Sequence, residues 1–495
     1  MAGFTRRSLI FAAGAAAGVG ATKYLASSNP VLDGTMSTVP KGGEGVLNDA
    51  SGLSETPIHK HIVLKQDPGD ALVEALRAEL TEARAEGRPV NIGAARHSMG
   101  GQAIPRDGHA ITFDNGFLEP DTGAETYRVH SGARWSQVID ALDPIGYGPK
   151  VMQSNHDFGV AATYSVNAHG WPVPMGPMGH TVRSVQMVLP DRELVTCSRD
   201  ENADLFGMAM GGYGLTGLIT EMEVEMTANQ RLMPEHRKVP AVDLAKELMR
   251  EVKDADVPMA YGRMNVDRAR FFEDGLVISY RPTPDQDDLP AAVGSGLPSK
   301  IASRVYRYQL GNERWKRWRW TIETDIGPAI ASGASTRNSL MNEPVHTLDD
   351  RNPGRTDILH EYFVAPERFP EFVQACQDVI PASYQEFLNI TLRYVAQDDL
   401  AWLSYAPTQR IAAVMSFSQE MTERAEADMA RMTTALIERI LAIGGSYYLP
   451  YRLHATQDQF QRCYPRAAEF AAKKRELDPG GVLRNALWDN YMEAL

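Results

Sequence analysis

Asn91-Ile92-Gly93-Ala94-Ala95-Arg96-His97-Ser98-Met99-Gly100-Gly101 is the stretch on which the reading of this chain turns. Pro89–Gly93 has the composition of a short strand, and a turn of small residues follows it directly. A diphosphate needs several backbone N–H donors within about 2.7–3.2 Å, and glycine and alanine let the backbone come that close. Bulky side chains here would hold it away. One histidine, His97, closes the turn and is followed by Ser98. At such a place a histidine either hydrogen-bonds within the turn or offers a ring nitrogen to a bound group.

Two more small-residue runs follow in order, FGVAATYSVNAHG at Phe158–Gly170 and GGYGLTGLIT at Gly211–Thr220. Around them, apolar spacing predicts the elements. Asp70–Gly87 reads as a helix with Leu72, Val73, Leu76, Leu80 and Ala83 on one face and Gly87 as its stop. His109–Asp114 and Thr126–Gly132 read as strands, Trp135, Val138, Ile139 and Leu142 as a helical face, and Thr181–Pro190 with Glu193–Cys197 as a hairpin. Leu218–Met226 alternates as a half-buried strand. Beyond Met226 the chain offers a helix at Asp243–Val252 and strands near Met259–Val266, Gly275–Arg281, Leu359–Pro366, Asn389–Ala396 and Ile411–Gln419. A long helix, Glu423–Ile443, stops at Gly444-Gly445. This mixture, without regular strand–helix–strand spacing, predicts an α+β protein of two domains. The expected division is a leader at 1–26, a Gly/Ser/Pro-rich linker at 27–57, a first domain at 58–228, a second at 229–455, and a segment 456–495 that returns to the first.

With 495 residues the chain can bury more than one core, and its net charge of −13 argues against general nucleic-acid binding. Cys197, Cys376 and Cys463 lie too far apart in sequence for a metal-type pair or a disulfide framework. His156-Asp157, His169 and His180 lack ligand spacing, so no metal site is expected. Arg6-Arg7 precede a mildly apolar Ala/Gly-rich run and resemble a twin-arginine export signal, with a Sec-type signal or an unstructured tail as the alternatives. The expected location is periplasmic or membrane-associated.

The three ordered runs resemble the FAD-binding domain of the vanillyl-alcohol oxidase/p-cresol methylhydroxylase flavoprotein family, nearest to its sugar-lactone and alditol oxidase-like members. The likeness covers roughly residues 58–228 and returns at Lys473–Asn485, whose K…DP…N order looks like the family's closing segment. It implies a cap domain over the flavin and an FAD cradle built from Asn91, Ile92, Gly93, Ala94, Ala95, Arg96, His97 and Ser98. His97 matches the histidine that many relatives bond to the flavin 8α-methyl. Many relatives read G-x-G-H-S here; Ala95-Arg96 departs from that, as Arg-His-Ser does in alditol-oxidase-like members. Ser154, Asn155, Thr163, Ser165 and Asn167 match a polar cofactor channel, although some must serve strand backbone instead. His169 falls where sugar and lactone oxidases carry His-Gly, beside the isoalloxazine; a core histidine bound to a carbonyl is the plainer alternative. Ala168 matches a position tied to oxygen access. Gly217, Ile219 and Asn485 complete the implied cofactor set, unless the Gly211 run is simply a loop and a strand.

For the substrate side, LHEYFVAP resembles the E-Y-x-V-P strand of aldonolactone and alditol oxidases. Alternation puts His360 and Tyr362 on one face and Glu361 and Phe363 on the other, and leaves open which face meets the flavin. NITLRYV keeps Arg393, but Thr391 stands where the family's E-x-R pair has its acid. Tyr448, Tyr451, Arg452 and His454 follow close together. Glu361 or His454 is the candidate base, and Arg393 or Arg452 the candidate cation; interface packing and surface salt bridges are the plainer readings of all four. The resemblance implies oxidation of a small-molecule CH–OH donor such as a sugar, polyol or lactone, with oxygen or a quinone-type acceptor. An amine or phenol donor, or a flavin carrier without turnover, are the alternatives. Finally, Ser303–Trp320 interleaves Arg304, Arg307, Arg314, Lys316, Arg317 and Arg319 with aromatics. It reads either as an amphipathic helix with its tryptophans packed inward or as a peripheral membrane contact.

Overall fold

The computed structural model describes residues 45–294, 306–330, 333–344 and 354–495. The leader and most of the linker lie outside the described residues, as does Arg304.

The first domain grows from the Asp70–Glu86 helix. Its apolar stripe, Leu72, Val73, Leu76, Leu80 and Ala83, is buried as the spacing demands, and Gly87 ends it at φ 65°. The helix connects strands Lys60–Leu64 and Val90–Ile92, which flank His109–Phe113 in a three-stranded parallel sheet. Val90 also receives the returning C-terminus: its N–H donates to the Val482 carbonyl at 2.6 Å, and a parallel bridge joins it to Leu483. The next layer is antiparallel. Its strands run in the order Leu194–Ser198, Val182–Val188, Leu218–Ala228, Thr126–His130 and Leu118–Asp121. Tyr147–Pro149 pairs with the far end of the long Leu218–Ala228 strand.

That strand ends at Ala228, and an eight-stranded antiparallel sheet begins at Arg231. At its heart Glu386–Val395, Arg410–Glu420 and Arg355–Val364 lie side by side. The Arg231–Pro240 strand escapes sequence reading because its charged, largely exposed residues and Pro234 give no apolar alternation. Helices Leu244–Val252, Phe369–Val379 and Glu423–Ala442 pack against this sheet and one another. A Cβ at Gly262 or Gly275 would come within 2.6 Å of a Leu244 methyl, so both glycines set how closely the first helix can approach. The Glu423–Ala442 helix is capped by the Thr422 hydroxyl, which accepts from Ala425 N–H.

The basic segment departs from its expected packing. In the Glu313–Thr321 helix the buried side chain is Lys316, paired with Glu313 at 2.8 Å and Glu386 at 3.0 Å, while Trp318 is 49% exposed. Arg319 binds Glu323 and the Leu388 carbonyl, and Arg307 pairs with Asp357. Charge pairing seats this helix together with Trp320, which packs half-buried against the core.

His360 supplies a pH prediction. Burial among Tyr362, Phe417 and Thr433 pushes its imidazole down to about 3. The unfolded chain therefore takes up the proton first, near the ordinary value of about 6.5. Stability should fall as pH drops from about 6.5, by up to about 1.4 kcal/mol per unit for this residue. Denaturant melts at pH 7.5 and 5.5 should show that slope, and His360→Asn should reduce it. An unchanged slope in the variant would contradict the assignment.

Candidate active site

The three sequence runs converge, and each contains one non-glycine residue in left-handed backbone: Arg96 at φ 52°, Asn167 at 52° and Tyr213 at 54°. Each such conformation costs of order 1–3 kcal/mol and persists only where the surroundings impose it. All three residues are buried.

Arg96 is the most telling. It is 2% exposed, and none of its three guanidinium nitrogens has a partner among the described residues. Burial, with a smaller contribution from the nearby Arg134 charge, pushes its guanidinium down to about 10. A buried guanidinium without a protein partner is suited to receive an anion. Both amide atoms of Asn91 and the Nε2 of His97 are likewise enclosed and unpartnered. The small residues make the room: a Cβ at Gly93 would fall 2.6 Å from Arg96 Nε, and one at Gly159 would reach 3.0 Å from the Ala94 methyl. This donor set fits the diphosphate of FAD. His97 is half-buried against Phe158, with ring centres 4.4 Å apart. Burial pushes it down to about 4, so at neutral pH it presents an uncharged imidazole.

The other cofactor candidates sort by what holds them. Thr163 is satisfied by protein: its hydroxyl meets Gln153, the Gly159 carbonyl and the Trp135 indole. Ser154 accepts from Arg393, and Ser165 is engaged through its carbonyl by Tyr213 N–H at 2.9 Å. Ile92 is a strand residue paired with Ile111; Ala95 is buried, and Ala94 and Ser98 are half-buried in the turn. Gly217 lets Met187 pass, since a Cβ would lie 2.6 Å from its sulfur, and the Ile219 side chain packs into the core. Asn485 donates to the Tyr213 carbonyl at 2.9 Å and accepts from Leu487 and Trp488 N–H. It holds the strained third run in place from the C-terminus.

The cap meets these runs through the Glu361 face of its Arg355–Val364 strand. Glu361 is 4% exposed; His169 Nε2 engages Oε1, and the Tyr451 hydroxyl donates to Oε2 at 3.2 Å. At least one proton must lie between His169 and Glu361. The opposite face carries His360 to Thr433 on the Glu423–Ala442 helix. Both faces are thus covered, which is why the strand is buried from His360 through Val364. Phe363, Tyr405 and Tyr448 wall the cluster, with Phe363 and Tyr405 stacked at 3.9 Å. Burial, then the Glu361 charge, raises the Tyr451 phenol well above its ordinary value, so it acts as a donor. Arg393 donates to Ser154, keeps a buried unpartnered Nε, and feels the Glu361 charge, which opposes the downward push of burial.

Arg452 and His454 go elsewhere. Both bind Glu426 on the long helix, with His454 Nε2 2.8 Å from Oε1, and Arg452 also reaches Ser54 and the Met99 carbonyl. Their geometry is that of an interdomain clasp, not of a group beside Glu361. Asp398 gave no signal in the sequence. It grips the second run by accepting from Asn167 Nδ2 at 2.8 Å and sits 3.0 Å from His180 Nε2. The Tyr405 hydroxyl donates to the Asn167 carbonyl. The first run is stapled to the Tyr451 segment by Gln102, whose amide donates to the Leu449 and Tyr451 carbonyls.

Comparison with known proteins agrees with this geometry. Residues 71–198 match the family model described as "FAD binding domain". The chain is 24% identical over 440 residues to decaprenylphosphoryl-beta-D-ribose oxidase of Mycolicibacterium smegmatis, covering 82% of this chain and 90% of that protein. It is 29% identical over 203 residues to the mitochondrial L-galactono-1,4-lactone dehydrogenase 1 of Oryza sativa subsp. japonica, 41% of this chain and 34% of that one. To cytokinin dehydrogenase 7 of the same plant it is 30% identical over 156 residues, 30% of this chain and 29% of the relative. The chain thus spans nine-tenths of the first relative's length and about a third of the other two. The matched FAD-binding domain holds the unpaired Arg96 cradle, and the proteins this chain resembles are FAD-linked oxidoreductases.

Proposed function

We propose that this oxidoreductase oxidises a CH–OH group of a sugar, polyol, lactone or other alcohol at the Glu361 cluster. The observation that carries the reading is a buried carboxylate with both oxygens engaged, beside a half-buried arginine that retains an unpartnered nitrogen. FAD, when bound, supplies the hydride acceptor. Glu361 takes the hydroxyl proton; its carboxylate has lone pairs beyond those that His169 and Tyr451 use. Tyr451 and His169 fix its orientation, and Arg393 stabilises negative charge as it develops. The aromatic wall excludes water. The relative that spans both halves of the chain is named for a ribose, which supports a sugar-type donor.

Anaerobic bleaching of the flavin across a panel of alcohols, lactones and amines tests the reading. Bleaching by at least one alcohol or lactone is expected; bleaching by amines alone would overturn it. Comparing air with a dye acceptor in the same assay separates oxygen from a quinone-type acceptor.

We also propose that His97 bonds the flavin covalently, supported by its uncharged ring and unpartnered Nε2. Acid precipitation of the wild-type protein should leave the flavin with the pellet, and His97→Ala should release it. Free flavin from wild type would refute the bond. The paired arginines at Thr5–Ile10 support export, and exposed Arg314, Arg317 and Trp318 support a peripheral membrane contact. Among the described residues no helix is long and apolar enough to cross a membrane.

A further inference from the structure

We infer that the chain carries a zinc site, separate from the flavin site, formed by His59, Glu86 and His109. The three come together because parallel pairing sets the segment before Lys60–Leu64 beside the start of His109–Phe113, at the foot of the Asp70–Glu86 helix. His59 Nε2 lies 3.4 Å and His109 Nε2 3.3 Å from the same oxygen, Glu86 Oε2. One ligand atom from each of the three residues falls within 4.8 Å of the others. Zinc–ligand bonds of about 2.0–2.1 Å in a tetrahedron give ligand–ligand edges of roughly 3.3 Å, close to the two histidine–carboxylate spacings found.

His109 makes the argument chemical as well as geometric. Its side chain is fully buried, with Glu79 Oε2 3.2 Å from Nδ1 and Glu86 Oε2 3.3 Å from Nε2. One ring nitrogen can bind a metal while the other donates to a carboxylate. With a metal at Nε2, Glu79 plays the carboxylate that orients a ligating histidine. Lys60 holds Glu79 in turn, at 3.1 Å. Glu86 lies in the last turn of its helix, where the backbone dipole favours a cation. His59 and Glu86 are 39% and 36% exposed, which leaves an entry path and a fourth position for water. Arg88 lies 3.2 Å from the same Glu86 Oε2 and is 35% exposed, so it is free to move off that oxygen when a metal takes it. Two imidazoles and one carboxylate suit zinc and disfavour magnesium and calcium. The site lies at the amino ends of the parallel strands, whereas the Arg96 turn follows the carboxyl end of Val90–Ile92. A bound ion would clamp the strand, helix and turn on which the cofactor loop is built. The sequence hid it because its histidines stand fifty residues apart, one at the start of a strand and one just before the neighbouring strand.

The test is equilibrium dialysis of untagged, FAD-loaded protein against zinc chloride, with bound metal counted by mass spectrometry. One zinc per chain is expected, retained in excess magnesium. His59→Gln and Glu86→Gln, both at exposed positions, should weaken binding at least tenfold, and Glu79→Gln by roughly 10–100-fold. His61→Gln, on the same strand but outside the cluster, should bind as wild type does. The flavin spectrum should be unchanged throughout. No retained zinc, or equal retention in His59→Gln and Glu86→Gln, would overturn the site.

Discussion

Replacing Arg96 with methionine should strip the protein of FAD and yet stabilise the cofactor-free chain. The guanidinium is buried, feels the Arg134 charge, and has no partner among the described residues. In the cofactor-free state that charge has lost its water and gained nothing, so an apolar side chain of similar length should relieve the strain. In the loaded state the same charge meets the diphosphate. Removing one partner of such a buried pair costs about 2–5 kcal/mol, or roughly thirty-fold to several-thousand-fold in affinity. The measurement belongs in a His97→Ala background, so that no covalent link masks the loss. Flavin fluorescence gives the affinity, and thermal melts of the cofactor-free proteins give the stability. Opposite signs in the two assays are expected. A variant that keeps its FAD affinity, or that melts earlier without cofactor, would show that Arg96 has a structural partner instead.

Glu361→Gln should leave FAD content and fold intact while slowing flavin reduction by about 10²–10⁴-fold, the usual contribution of a positioned base. Glutamine keeps the shape and can still meet Tyr451 and His169, but it cannot accept the donor's proton. The loss should therefore fall on the reduction rate and not on substrate affinity. Tyr451→Phe removes only an orienting bond and should cost far less. Rapid mixing without oxygen reads the rate directly. An unaltered rate in Glu361→Gln would move the base elsewhere, and His454 could then be tested despite its bond to Glu426.

How much of this is written in the sequence depends on the range of the contact. The Asp70–Glu86 helix, the strand before Gly93 and the small-residue turns are local, so period and residue size reveal them. The two faces of the Arg355–Val364 strand are also legible from alternation. Which face meets the cofactor is not, because both are buried, and only the partners His169 and Thr433, far away in sequence, tell them apart. The density of Tyr, Arg and His after Ser446 suggested one site. The chain turns between Tyr451 and Arg452, however, and Glu426 captures the latter half. Asp398 carries no local signal, since nothing near it in sequence shows that Asn167 and His180 end beside it.

A structure of the FAD-loaded protein would test the whole account most directly. The account requires the diphosphate within hydrogen-bond distance of Arg96 and the Asn91–Ser98 turn, and the isoalloxazine ring between His97 and the Glu361 carboxylate. A flavin seated away from Glu361, or a diphosphate that leaves Arg96 still unpaired, would contradict it.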